Sequence, residues 1–205
     1  RYLAMTLDSL ARRRMFGMVQ PDAHLPRGET GAALYGVGCL GRLSSFSETE
    51  DGRLLVTLTG LIRFRIAEEL ALAAGGYRRV RADYAPFAAD LVVADGAPPY
   101  DRAELLAALR TYFRARGIEA NWDAVEQTAD AMLVTTLSMV CPFEVPEKQA
   151  LLEAPDAAER ARAQRAELAA RQLAQRAEGA LARRRNEFRR ETEFAIMAER
   201  ENGMA

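Results

Sequence analysis

Gly36, Gly38 and Gly41, in the stretch Tyr35-Gly36-Val37-Gly38-Cys39-Leu40-Gly41, have the spacing G-x-G-x-x-G, which in other chains holds a dinucleotide pyrophosphate. In such a loop the glycines open a helix, whose free N–H groups and positive dipole end face the phosphates. Here Arg42-Leu43-Ser44-Ser45-Phe46-Ser47-Glu48-Thr49 follows, poor in helix formers and without a 3.6-residue apolar period. It reads as strand, and glycine within a strand marks a bulge, a bend or a close backbone approach.

The other reactive side chains are few. His24 is the single histidine and sits in a proline-flanked loop. With Cys39 and Cys141 far apart, the usual zinc ligand set is missing, and the two thiols read as small buried apolar groups. No G-x-S-x-G elbow accompanies His24, and no G-x-x-x-x-G-K-[ST] occurs. Lys148 lies on a short helix and Ser138 on the one before it, so a Ser–Lys dyad depends on the fold bringing them together. The residues therefore argue against an enzyme, with no catalytic residue, cofactor or metal site expected.

The elements that would position any site change character along the chain. Residues 2–13 place Leu3, Leu7 and Leu10 at helical spacing, a short amphipathic helix. Met15–Gln20 reads as strand, 21–32 as a Pro- and Gly-rich loop, and Leu34–Glu48 as strand. Asp51-Gly52 then marks a hairpin turn. Beyond it Leu54, Val56, Leu58, Gly60, Ile62, Phe64 and Ile66 alternate with Arg53, Thr57, Thr59, Arg63 and Arg65. Strict period-two alternation predicts a long strand, its apolar face inward and its arginine face in solvent. Tyr77–Tyr84 adds a strand with Val80, Ala82 and Tyr84 on one side.

Asp95–Tyr100 marks a boundary. Past it, Leu105, Leu109, Tyr112 and Phe113 form one helical stripe closed near Gly117. A second stripe runs from Trp122 to Val140, with a break near Asp130 and a stop at Pro142, and a short third helix spans 146–154. Asp156 with Glu159 suggests an N-cap with a reciprocal carboxylate, opening an Ala-, Arg- and Glu-rich helical tail to about residue 200. The expected units are a β part over 1–94, a helical part over 95–155 and a charged helical tail over 156–205, loosely attached at least beyond Gly179.

Across 205 residues, 49% are hydrophobic, enough for a sizeable core, and 28% are charged with a net charge of −1. That balance argues against a partner recognised by global charge, whether nucleic acid or anionic membrane. Arginines interleaved with aromatics in Arg63-Phe64-Arg65 and Tyr77-Arg78-Arg79-Val80-Arg81 keep an RNA-binding module as the alternative to protein recognition. No apolar run reaches membrane-spanning length and no secretory signal is visible, which points to the cytoplasm.

The order of several short motifs resembles the N-terminal, substrate-binding domain of the Lon protease family, in its stand-alone bacterial form. They are Arg1-Tyr2-Leu3-Ala4-Met5, Phe16-Gly17-Met18-Val19-Gln20, Tyr35-Gly36-Val37-Gly38-Cys39, Thr57-Leu58-Thr59-Gly60, Cys141-Pro142-Phe143 and Glu147-Lys148-Gln149-Ala150-Leu151-Leu152-Glu153. The resemblance covers about residues 1–160. It implies an α+β fold: a bent antiparallel PUA-like β pseudo-barrel, then an α-helical bundle, with a long C-terminal helix added here. The family begins upstream with a further strand, so a truncated N-terminus with an open sheet edge is expected. Lon's ATPase and protease domains have no counterpart, so the resemblance implies non-catalytic binding of unfolded or partly folded polypeptides. The candidate contacts are Tyr2, Phe16, Phe46, Arg63, Arg65 and Tyr84.

Overall fold

Asp51 and Gly52 turn the chain, Gly52 taking a φ of +75° that costs glycine little. Thr49 N–H closes the turn on the Arg53 carbonyl at 2.8 Å. The turn joins the two longest strands of the computed structural model, which describes residues 1–92 and 100–174 together with 178 and 182. Four antiparallel strands form one sheet in the order β1-β2-β3-β4: β1 is Met15–Met18, β2 Val37–Glu48, β3 Leu54–Leu70 and β4 Arg79–Asp83. Register shifts at Leu40/Gly41, Leu43/Ser45 and Ile66/Glu68 bend it. Helix α1, Tyr2–Leu10, precedes the sheet, and a short 3₁₀ helix, Ala85–Leu91, follows it.

The glycine spacing finds its physical explanation in β2. Gly38 and Gly41 lie within the strand and Gly36 just before it. A Cβ on Gly38 would sit 2.6 Å from the Met18 carbonyl oxygen and 2.9 Å from Phe64 Cζ. Glycine is needed there because the backbone of β1 and the Phe64 ring come too close for any side chain. Gly38→Ala is therefore expected to cost about 1–3 kcal/mol by overpacking. Gly36→Ala, with nothing within 4 Å of the added methyl, should cost little. Urea unfolding of the two variants checks the contrast, and equal midpoints would refute it.

The long strand corrects one expectation. Ile62 and Phe64 are buried, as the alternation predicts, but so is Arg63, at 6% exposure, between them. The arginine face is not solvated there, because the helical half of the molecule covers it. Toward the turn the opposite holds: Phe46, Leu55 and Val56 are exposed, so both faces of the outer hairpin meet solvent.

Helix α1 also turns its expected faces around. Leu3 and Leu7 are each 53% exposed, while Thr6 and Ser9 are buried. Ala4 lies so near Gly75 that a Cβ on the glycine would stand 2.7 Å from Ala4 Cβ, and Tyr77 O–H donates to Asp8 Oδ2 at 2.7 Å.

The helical half is α2 (Arg102–Arg116), α3 (Trp122–Gln127), α4 (Asp130–Val140), α5 (Val145–Glu153) and α6 over 157–174. Asp101 caps α2 by accepting from Glu104 N–H at 2.9 Å, and Gly117, at φ 63°, ends it. Extended backbone at Thr128 and Ala129 makes the expected break between α3 and α4. Leu105, Leu109, Tyr112, Leu133, Val134, Leu137, Cys141, Leu151 and Leu168 form the core, each large apolar side chain contributing about 1.5–3 kcal/mol.

Helix α6 begins just past residue 155. Asp156 caps it as expected, accepting from Glu159 N–H at 2.8 Å. Ala161 and Leu168 then enter the shared core, and Gln164 is fully buried, its Nε2 donating to the Val134 carbonyl and to Ser138 Oγ at 2.7 Å each. Through these side chains α6 packs into the helical core. The boundary segment 93–99 and the remainder of the expected tail lie outside the described residues, apart from 178 and 182.

Candidate functional site

On one side of the sheet the strands, α1 and the loop between β1 and β2 enclose an open groove of about 640 Å³. Successive strand residues point to opposite faces, so Phe64 and Arg63, neighbours on β3, serve different halves of the molecule. Phe64 and Leu40 line the groove floor, whereas Arg63 reaches into the helices. The Tyr84 ring stands edge-on to Phe64, centroids 6.0 Å apart. Phe16 and Met18 of β1 form one wall and Val80, Ala82 and Tyr84 another. Tyr2 and Met5 of α1 and Leu34 of the loop complete it. The walls are mainly apolar and aromatic.

Polar groups lie around this lining. Arg78 donates from Nη1 to the Ala32 carbonyl and from Nη2 to Glu69 Oε2, both at 2.5 Å, which fixes the loop to β4. Its Nε–H is buried without an acceptor among the described residues. The Tyr77 hydroxyl, whose pKa the hydrogen bond to Asp8 holds above the usual value, stays a protonated donor. Arg1 stacks over the Tyr2 ring at 5.0 Å.

Of the residues read from the sequence as contacts, Tyr2, Phe16 and Tyr84 meet at this groove. Phe46 lies apart from them on the exposed outer hairpin, and Arg65 is exposed on β3 outside the lining. Arg63 is enclosed in the interior, bound to Asp90 and to backbone carbonyls. Leu40 and Arg27 are groove residues that sequence reasoning did not assign to a site, and Phe64, Tyr77 and Val80 are ones it connected only with the RNA-binding alternative. The alternation Val80, Ala82, Tyr84 was the available signal for one wall. Nothing local marks the loop 21–34.

The groups once weighed for chemistry are otherwise engaged or apart. Ser138 Oγ donates to the Val134 carbonyl at 2.9 Å and accepts from Gln164, and so serves packing in the helical core. Both cysteines are free, and burial pushes the Cys141 thiol up to about 11. Among the described residues no group of three His, Cys, Asp or Glu side chains could hold a metal, and no helix is long and apolar enough to cross a membrane.

A bent antiparallel sheet with an apolar groove on one face and a helical bundle on the other defines an α+β recognition domain. The chain belongs to the family described as the ATP-dependent protease La (LON) substrate-binding domain, whose model matches residues 1–168. Among solved structures it is similar to the Lon N-terminal domain protein from Xanthomonas campestris, with 19% identity, 78% of this chain and 79% of that one covered, and a TM-score of 0.51. It is also similar to the N-terminal domain of the Mycobacterium avium complex Lon protease, with 17% identity, coverage of 76% and 89%, and a TM-score of 0.48. The first likeness shows the shared fold. No curated protein matches the chain significantly.

Proposed function

We propose that this chain is a non-catalytic module that takes up unfolded or partly folded polypeptide segments in the groove between α1, β1 and β4. The observation that carries this reading is the open, aromatic-walled groove in a chain of a substrate-binding family. An apolar concavity of this kind gains free energy by removing a partner's side chains from water, and an unfolded chain presents such side chains where a folded one hides them. Tyr2, Phe16 and Tyr84 would supply rigid contact area at low entropic cost.

Tyr2 is 68% exposed, so its replacement tests the groove without disturbing the core. Tyr2→Ala is expected to weaken binding of a reduced, alkylated and fluorescently labelled protein about tenfold, roughly 1.4 kcal/mol. Fluorescence anisotropy reads the affinity, and the melting temperature should not move. Phe46→Ala, on the outer hairpin, should leave binding unchanged. Loss of binding in Phe46→Ala with full binding in Tyr2→Ala would place the site on the hairpin instead.

A further inference from the structure

We infer that the groove selects segments in which apolar side chains are interspersed with acidic ones; this rests on the groove being the polypeptide site. Among the described residues, four arginines, Arg1, Arg27, Arg78 and Arg79, line the groove, and no aspartate or glutamate does. That one-sided lining belongs to a chain of net charge −1, so it is a local arrangement and not a reflection of overall composition. Arg78 is the one neutralised member, through Glu69. Arg79 donates Nε to the Ala71 carbonyl at 3.0 Å, an uncharged partner. Arg27 is exposed on the loop, and neither it nor Arg79 has a carboxylate partner among the described residues.

The cations come from separate places: the start of α1, the loop between β1 and β2, and the start of β4. Charges distributed in this way match several carboxylates along an extended segment better than one terminal carboxylate. Apolar walls between them take the intervening side chains. A lysine- or arginine-rich segment would meet like charge and lose its hydration for no compensating pair, so the same rim also rejects basic chains.

The test uses short acetylated, amidated peptides sharing one set of Phe and Leu positions, interleaved with Glu, Gln or Lys. Binding to the full chain should be about tenfold tighter for the Glu peptide than for the Gln peptide, with the Lys peptide weakest, and the preference should shrink with added salt. Arg27→Glu, at an exposed loop position, should remove most of the preference, read as the ratio of the Glu and Gln peptides' affinities, while leaving the melting temperature in place. Arg79→Glu should act in the same direction. Equal affinities for the Glu and Gln peptides would overturn the acidic preference and leave the groove reading standing. No binding of any peptide would overturn the groove reading itself. Binding only by versions with a free C-terminus, or tighter binding of oligouridylate through the same arginines, would overturn the inference in favour of a terminal carboxylate or a nucleic acid.

Discussion

Arg63→Ala is expected to lower stability by about 3–5 kcal/mol, because it leaves a buried ion-pair network without its centre. The guanidinium, with a side chain 7% exposed, donates to Asp90 through Nε at 2.9 Å and Nη2 at 2.7 Å. It donates further to the carbonyls of Leu152 (2.9 Å), Ala154 and Pro155 (3.2 Å), and it stacks over Phe87 at 4.6 Å. One side chain thus joins the sheet, the 3₁₀ helix and the end of α5. Arg63→Lys should recover only part of the loss, since one ammonium cannot reproduce the planar fork. Urea unfolding reads both, and a wild-type midpoint for the alanine variant would contradict the role assigned here.

The same network sets a pH dependence. Burial raises the Asp90 pKa, but the hydrogen bonds and charge of Arg63, aided by Arg160, outweigh it and hold it below the usual carboxylate value. A carboxylate depressed in the folded state stabilises fully above its unfolded pKa, about 3.9, and that contribution is lost as the pH falls through the folded value. Acidification from pH 6 toward pH 3 should therefore cost the wild type more stability than it costs Arg63→Ala.

The second large effect is expected at Phe64, which is 2% exposed. Phe64→Ala should cost about 3–5 kcal/mol through lost burial and the cavity left under Gly17 and Gly38. Arg65→Ala, one residue on and exposed, should stay within about 0.5 kcal/mol. Because Phe64 is also groove floor, the alanine variant should bind polypeptide poorly even at temperatures where it remains folded. Equal denaturation midpoints for the two variants would mean that the faces of β3 are reversed.

Much of the fold was legible in local signals. The Asp51-Gly52 turn, the alternation around Phe64, the Leu105/Leu109/Tyr112 stripe and the stops at Gly117 and Pro142 each encode their element within a few residues. What failed was inference about faces. Alternation told that Arg63 opposes Phe64, but not that helices some 90 positions later would cover that side. The leucines of α1 matched a core stripe, yet Thr6 and Ser9 are the residues that face inward. Alanine-rich α6 promised little apolar area, and its docking relies in part on Gln164, whose hydrogen bonds no periodicity reveals. The groove was half legible: of the expected contacts Tyr2, Phe16 and Tyr84 lie on its lining, whereas Phe46, Arg63 and Arg65 lie off it.

The reach of Arg63 also imposes an order on folding. Its carbonyl partners lie 89 to 92 positions downstream, and Gln149 donates to the Val37 carbonyl across 112. During synthesis the whole sheet, through Asp83, leaves the ribosome well before Leu152 and Pro155 exist. Its arginine face must wait, and closing so long a loop carries an entropic cost that only the completed helices offset. Until those helices exist the arginine face of the nascent sheet has no cover, and an uncovered sheet face is where a chain of this kind is open to aggregation.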